Sequence, residues 1–255
     1  MLDISFLLLN MCFPVFAGLV MILDRKEYTE KKLARRALTI IVISVCFLVL
    51  NITGGEKSSL LFSIGSELPV YFHVDALGKM LAVVVSVVWT ATICFAGEYM
   101  KEEGDQKRFF GFFLVVYGVL MALCYAGNLV TFYLFYEMMT LLTVPLVLHT
   151  RTREAITAGI KYLLYSLCGA YLVLFGIYIL NHYTTSLNFA AGGTLDMASV
   201  SGHETLILIV ACLMILGFGV KAGMFPMHGW LATAHPAAPA SASAVLSGVI
   251  VKMGV

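Results

Sequence analysis

One acidic residue lies in the middle of a long apolar run. Glu137 is part of the segment LVTFYLFYEMMTLLTVPLVL, and no basic residue lies within two helical turns of it. A carboxylate at this depth of a hydrocarbon layer is costly unless it is paired or exchanges a proton, which makes Glu137 a candidate for proton or cation transfer. The alternative is a structural carboxyl group that hydrogen-bonds to a neighbouring helix.

A lysine lies in a second apolar run, where glycine and proline interrupt the helical pattern. Lys221 is flanked by Gly217, Gly219, Gly223 and Pro226. Broken helices at membrane depth occur only where protein or a water-filled cavity satisfies the freed backbone groups. We therefore predict a helix break at Gly219, Gly223 and Pro226 beside a buried amine.

The same run contains three further ionisable groups and no acid. Lys252, His228 and His235 are the only ionisable residues besides Lys221 between residues 206 and 255. The two histidines could pass protons onward, since imidazole titrates near neutral pH, or could be hydrogen-bonded structural groups. In a continuous helix they would share one face about 10 Å apart, which is too far for a shared metal ion. For the lysines, the alternative is an amine that reaches the membrane interface along its apolar stem.

A buried amine and a buried carboxylate form a chemically useful combination. Burial penalises the charged amine, and a carboxylate nearby stabilises it. Movement of Glu137 toward or away from Lys221 would thus load or release a proton. By contrast, we expect His149 to be a solvated residue, because it is close to Arg151 at the end of an apolar run.

Composition determines the environment of these groups. The 255 residues are 60% hydrophobic and 12% charged, and the mean hydropathy is +0.94, which is typical of a membrane protein. The formal net charge of +1 gives no basic surface for nucleic acid. The six cysteines lie singly in apolar segments, so we expect small buried side chains and neither disulfides nor a metal or iron–sulfur site.

Eight apolar windows are long enough to be considered as membrane helices. The predicted fold is therefore an all-α polytopic bundle of about eight transmembrane helices, one of them broken near Lys221. The predicted spans are 4–23, 37–51, 76–96, 109–126, 129–149, 160–180, 206 to about 233, and 240–255.

Basic residues alternate between the connecting loops, and this predicts the orientation. The loops after the first, third and fifth spans contain Arg25, Lys26, Lys31, Lys32, Arg35, Arg36, then Lys101, Lys107, Arg108, then Arg151 and Arg153. The loops after the second, fourth and sixth spans contain Lys57 alone. Because short cytoplasmic loops retain positive charge, we predict an N-terminus outside and a multi-pass protein of the inner (cytoplasmic) membrane.

Residues 109–255 resemble the antiporter-like subunits shared by respiratory complex I, energy-converting membrane-bound hydrogenases and Mrp-type cation/proton antiporters. The matching segments are YLFYEMMTLLTVPLV, AGIKYLLYSLCGAYLVLFG and KAGMFPMHGWLATAHPAAPASASAVLSGVIVKMGV. The last is the most specific of the three. At Ala232 and Thr233 this chain departs from the usual proline and acid, which puts the shape and polar contacts of that corner in doubt.

The resemblance implies roles for individual residues. Glu137 and Lys221 would form the switching pair, Lys161 would modulate that pair near the cytoplasmic side, and Lys252 would continue a lateral polar axis. It also implies two domains, a three-helix membrane region at residues 1–101 and the first of two five-helix repeats at residues 107–255. The chain ends inside its eighth span, so we expect either a fragment or a protein whose unfinished face is covered by a partner.

Three functions remain open from the sequence. The leading one is an ion-translocating membrane subunit, for H+ or Na+, of a redox-driven complex I-like or hydrogenase assembly with a peripheral redox arm. The second is a subunit of a non-redox Mrp-type antiporter, and the third is a silent packing subunit with a static Glu137–Lys221 pair. No motif for a cofactor occurs in the chain, so the electron chemistry would belong to other subunits.

Overall fold

The chain folds into a helical bundle with one small hairpin. The computed structural model describes residues 2–26, 28–64 and 68–255, with side chains from residue 6 onward. The helices are α1 Leu2–Leu23, α2 Glu30–Thr53, α3 Ala76–Tyr99, α4 Gln106–Cys124, α5 Leu129–Val147, α6 Arg153–Leu180, α7 Met197–Val200, α8 Glu204–Ala222, α9 Leu231–Ala237 and α10 Ala240–Val245. The strands are β1 Lys57–Ile64 and β2 Leu68–Val74. A 3-10 turn, Met227–Trp230, joins α8 to α9, and α10 continues through a π turn, Leu246–Ile250, and a 3-10 turn, Val251–Gly254.

The predicted membrane bundle is confirmed. Within the described ranges, seven helical segments are long and apolar enough to cross a membrane, and the apolar helix Ala240–Gly254 is shorter. The seventh segment, Glu204–Ala237, includes the break. The chain is therefore a multi-pass membrane protein.

Two helices begin earlier than the hydropathy windows predict. α2 begins at Glu30 instead of residue 37, and α6 begins at Arg153 instead of residue 160. Their first turns are charged, so a hydropathy window omits them although charged residues are good helix formers. At α6 the hydroxyl oxygen of Thr152 accepts a hydrogen bond from the backbone N–H of Ala155 at 3.1 Å and so caps the helix.

α4 lies at the centre of the bundle and is buried on nearly all sides. Trp89 of α3 donates its indole N–H to the carbonyl of Phe113 at 3.1 Å, and the hydroxyl groups of Ser86 and Tyr117 lie 2.8 Å apart. α1 packs on the opposite side of α4. This fixed centre positions α5, which contains Glu137.

The β-hairpin was not predicted from the sequence. β1 and β2 pair antiparallel, with Lys57 opposite Val74 and an irregularity between Leu60 and Phe62. On β2, Val70, Phe72 and Val74 are buried while the intervening residues are half-buried, which is the period of two expected of a strand. A window of about 20 residues averages over such a short alternation.

The connecting loops segregate between the two ends of the bundle. At one end, the α5–α6 loop meets the α3–α4 loop, where Arg151 donates to Asp105 at 2.7 Å, and Arg25 and Lys107 line one cavity. At the other end, the hairpin, the α4–α5 turn and the α6–α8 loop meet, and the side-chain amide of Asn128 donates to the carbonyl of Pro69 at 2.7 Å. The basic loops therefore share one end, as their alternation predicted.

The cysteines differ from the expectation of buried side chains. Of the six, only Cys124 is buried, and the other five are exposed on the surface of the chain. They lie in membrane-crossing helices, where a small apolar side chain is stable against lipid as well as inside a core.

Candidate functional site

Lys221 lies at the junction of three helices. It occupies the last turn of α8 and is only 1% exposed. Its ammonium group donates one hydrogen bond of 2.6 Å to the hydroxyl oxygen of Thr140 on α5 and another of 2.7 Å to the phenol oxygen of Tyr162 on α6. A buried amine with two short hydrogen bonds to neutral oxygens is held in place and remains free to exchange a proton.

Aromatic rings enclose the same amine. The Lys221 nitrogen lies 4.7 Å from the ring centre of Tyr162 and 5.7 Å from that of Tyr136. The Tyr162 ring in turn packs on Trp230, with ring centres 4.9 Å apart. These rings stabilise a positive charge by cation–π attraction and exclude bulk solvent.

The close approach of α6 and α8 depends on two glycines. A Cβ atom added to Gly217 would lie 2.5 Å from the carbonyl oxygen of Gly169, and one added to Gly169 would lie 2.6 Å from that of Gly217. Small residues of this kind allow membrane helices to pack backbone to backbone. Because Gly217 precedes Lys221 by one turn, this contact places the amine opposite Tyr162.

The predicted helix break is confirmed directly after Lys221. α8 ends at Gly223, whose φ of 72° is left-handed, and the backbone N–H of Met224 donates to the carbonyl of Gly219 at 2.8 Å. Pro226 precedes the 3-10 turn that leads into α9. Trp230 folds back so that its indole N–H donates to the carbonyl of Val220 at 2.8 Å, which satisfies one of the backbone groups freed by the break.

Glu137 lies near this junction without touching the amine. It is three residues before Thr140, so the two side chains lie on the same side of α5. The side chain is half-buried, and its Oε1 atom is buried with no hydrogen-bond partner among the described residues. The described residues include no ion pair between Glu137 and Lys221 within 4.0 Å.

The other predicted lysines are not part of the Lys221 cluster. Lys161 is half-buried and has no hydrogen bond or ion pair within the described part of the chain. Lys252 is exposed, and its amine donates to the carbonyl of Ser247. Lys252 and Phe218 line a separate cavity of about 660 Å³.

The two histidines lie in different surroundings. His228 is exposed in the 3-10 turn and stacks near Phe225 at 5.7 Å, whereas His235 is half-buried in α9 with its Nδ1 atom 2.8 Å from the hydroxyl oxygen of Ser243. The single continuous helix that would give them a common face is not present, since the 3-10 turn separates them. Among the described residues, no group of three or more His, Cys, Asp or Glu side chains is placed to bind a metal ion.

His149 is buried, contrary to the expectation of a solvated residue. It is 5% exposed, and its Nε2 atom lies 2.8 Å from the carbonyl oxygen of Gly104. The nearby Arg108 guanidinium donates to the carbonyls of Pro145 and Leu148 at 3.3 and 3.2 Å. These contacts fix the end of α5 to the start of α4, and the α3–α4 loop covers the imidazole.

The corner at which the sequence departs from the expected pattern has an ordinary helical structure. Ala232 and Thr233 lie in α9. The hydroxyl of Thr233 donates to the carbonyl of Trp230 at 2.9 Å, and Ala232 is exposed. The corner thus retains a polar contact without the acid.

Sequence reasoning did not identify the residues that hold Lys221. Thr140 could have been noticed as a hydroxyl group one turn from Glu137, and Tyr162 as the residue next to Lys161. The role of Tyr136 and the return of Trp230 have no sequence signal, because both depend on which helices come together.

Comparison with known proteins gives a consistent family. A family model described as "NADH:quinone oxidoreductase/Mrp antiporter, TM" matches residues 126–255. Hydrogenase-4 component B of Escherichia coli (strain K12) is 34% identical over 185 residues, which cover 72% of this chain and 27% of that protein. A Na(+)/H(+) antiporter protein of Bacillus subtilis (strain 168), itself one subunit of its antiporter, is 23% identical over 259 residues, which cover 98% of this chain and 51% of that protein.

A solved structure has the same fold. The match is to the membrane-bound sulfane sulfur reductase, an archaeal respiratory membrane complex, with a TM-score of 0.76 and 25% identity. It covers 99% of this chain and 39% of the matched chain. The chain thus spans between about a quarter and about half of the length of these relatives.

Proposed function

The chain belongs to the NADH:quinone oxidoreductase/Mrp antiporter transmembrane family, and we propose that it is an ion-translocating subunit that passes protons or another small cation by way of Lys221 and Glu137. The observation that carries the proposal is the burial of Lys221 between Thr140 and Tyr162. A fully buried amine that has no carboxylate within ion-pair distance in the described ranges is expensive to maintain at membrane depth, and it marks a functional site by default.

The surroundings of Lys221 suit an exchange of charge. Its ammonium form is stabilised by two oxygens and two aromatic rings, while the nearest mid-span acid has a carboxylate oxygen without a partner among the described residues. Approach of the Glu137 carboxylate would favour the ammonium form, and its withdrawal or protonation would favour release of one proton from the Lys221 nitrogen. The break after Lys221 gives α8 an end that can adjust without bending a continuous helix.

The other predicted residues belong to this proposal with less direct support. Lys161 precedes Tyr162 on α6 and would act on the same site through the electrostatic field. Lys252, His228 and His235 would continue the path beyond the break. The contacts of Lys252 with Ser247 and of His235 with Ser243 supply polar groups at two points along it.

The assembly we propose is redox-driven, with other membrane subunits, a peripheral redox arm, and electron chemistry on other chains. Similarity to a hydrogenase component and to part of a respiratory complex supports it. The competing function is a subunit of a non-redox antiporter, which the match of almost the whole chain to a Na(+)/H(+) antiporter protein favours. An inner-membrane location with the N-terminus outside, and the division into residues 1–101 and 107–255, are part of the same proposal.

The test is a double-mutant cycle on ion flux in vesicles that contain the assembled complex. Glu137→Gln and Lys221→Met should each abolish most of the flux at unchanged complex yield, and the double variant should lose no more than either single one. The surface ion pair Glu98–Lys101 offers a matched control, because Glu98→Gln and Lys101→Met remove the same two charges far from the site. Additive losses would indicate two independent sites, and wild-type flux in either single variant would remove that residue from the mechanism.

A further inference from the structure

A cavity of about 600 Å³ lies between the end of α1 and the start of α2. On α1 it is lined by Ala17, Val20, Met21 and Asp24, which are spaced at one helical face. On α2 its lining residues repeat with the same spacing from residue 32 to residue 40. The cavity is therefore a groove between two facing helix stripes, and its volume is in the range of small-molecule sites.

The chemistry of this cavity changes along its length. At the loop end, α2 contributes the three cations Lys32, Arg35 and Arg36. About 10 Å deeper along the helices, the walls are apolar at Ala17 and Ile40. A row of cations above an apolar groove matches a molecule with an anionic head and a hydrocarbon tail.

One of the cations is held in place by a chain of contacts. The hydroxyl of Tyr28 donates to Asp24 at 2.6 Å, and the guanidinium of Arg36 lies 4.3 Å above the Tyr28 ring. The carboxylate of Asp24 also accepts from the backbone N–H of Lys26 at 3.0 Å, so both of its oxygens are engaged within the loop.

The other two cations are free to bind a ligand. The side chains of Lys32 and Arg35 have no hydrogen bond or ion pair among the described residues. Three cations against one engaged carboxylate leave an excess of positive charge in the cavity. The excess lies at the end of the bundle that collects the basic loops, where the headgroups of one leaflet would be.

We propose that this cavity binds an anionic glycerophospholipid, with its phosphate on Lys32, Arg35 and Arg36 and an acyl chain along the apolar part of the groove. A soluble anion would leave the apolar walls unused, and a neutral lipid would leave the cations without a partner. Because both helices cross the membrane, the mouth of the groove faces the lipid phase at headgroup depth. The proposal is independent of the ion pathway, which lies on α5, α6 and α8.

The test compares phosphatidylglycerol with phosphatidylcholine of the same acyl chains. The purified complex is stripped of lipid in detergent, each lipid is added, and bound lipid is counted by native mass spectrometry. The triple variant Lys32→Gln, Arg35→Gln, Arg36→Gln removes the cations of the cavity. Its matched control, Arg25→Gln, Lys26→Gln, Lys31→Gln, removes three charges from the same region outside the cavity. We expect phosphatidylglycerol to bind at least about tenfold more weakly to the first triple variant and within about twofold of wild type to the control.

A second variant tests the apolar end without changing charge. Ala17→Trp should fill the groove and displace the lipid, whereas Leu23→Trp, at an exposed position of the same helix, should not. Equal losses in both triple variants would reduce the effect to general electrostatic attraction and overturn the proposal. Equal binding of phosphatidylcholine would overturn it too, as would cross-links from a cysteine at Thr39 to another protein subunit instead of lipid.

Discussion

The phenol oxygen of Tyr162 accepts a hydrogen bond of 2.7 Å from the ammonium group of Lys221, across the contact between α6 and α8. The two residues are 59 positions apart in the chain. Their contact fixes the amine between two helices, and a second bond to Thr140 joins it to α5. The proton-bearing nitrogen is thus held by three helices rather than by a carboxylate.

This contact predicts the behaviour of Tyr162→Phe. The ring and its packing on Trp230 remain, but one acceptor of the buried ammonium is lost. A hydrogen bond to a charged group contributes about 1.5–3 kcal/mol, so we expect ion flux in vesicles to fall about tenfold or more. Tyr171→Phe is the control on the same helix, since Tyr171 is 66% exposed. Equal flux in the two variants would show that the phenol of Tyr162 is dispensable.

A second prediction concerns the glycine contact that brings α6 and α8 together. Gly217→Ala places a methyl group 2.5 Å from the carbonyl of Gly169, so the helices must separate. Overpacking of this kind costs about 1–3 kcal/mol, and the displacement should also lower flux because it moves Lys221 away from Tyr162.

The measurement is thermal unfolding in detergent, together with flux. Gly55→Ala is the control, because a Cβ atom there meets nothing within 4 Å. Should Gly217→Ala unfold at the same temperature as Gly55→Ala, the close approach of the two helices would not matter for stability.

The third prediction is a pH dependence of stability that arises from His149. Burial lowers the pKa of His149 below its ordinary value, and the nearby Arg108 lowers it further, against the opposite effects of the Gly104 carbonyl, Asp105 and Glu103. The folded chain therefore resists protonation of this imidazole. Below pH about 6.5 the unfolded chain binds a proton that the folded chain does not, so the free energy of unfolding decreases as the pH falls.

Unfolding curves between pH 5 and 8 test this dependence. We expect a slope of at most about 1.4 kcal/mol per pH unit from one proton, and His149→Gln should reduce it. His182→Gln removes an exposed histidine and keeps His149, so the slope should be retained. An unchanged slope in His149→Gln would assign the pH dependence to other groups.

The fourth prediction is the orientation of the bundle. The end that collects the basic loops should be cytoplasmic, and the end with the hairpin and the α6–α8 loop should be outside, together with the N-terminus. A cysteine introduced at Ser201 should react with a membrane-impermeant maleimide on intact cells, whereas one at Glu102 should react only after the membrane is opened. The parent chain measures the background from its native cysteines. The reverse pattern would invert the assignment of the two sides.

The membrane character, the number of long helices and the break near Lys221 were predictable from the sequence alone. Each of these depends on local properties, namely hydropathy over about 20 residues and the backbone preferences of glycine and proline. The choice of Glu137 and Lys221 as candidates also required only local information, because an ionisable residue in an apolar run is conspicuous wherever it packs.

The partners of those residues were decided by the tertiary structure. Lys221 donates to Thr140 and Tyr162 instead of forming a direct ion pair with Glu137, and His149 is buried under a neighbouring loop. The hairpin likewise became visible only when its buried face met the bundle. Hydrogen bonds and burial depend on which helices approach one another and at what rotation. That geometry arises from the close contact of small residues such as Gly169 and Gly217, which are far apart in the chain.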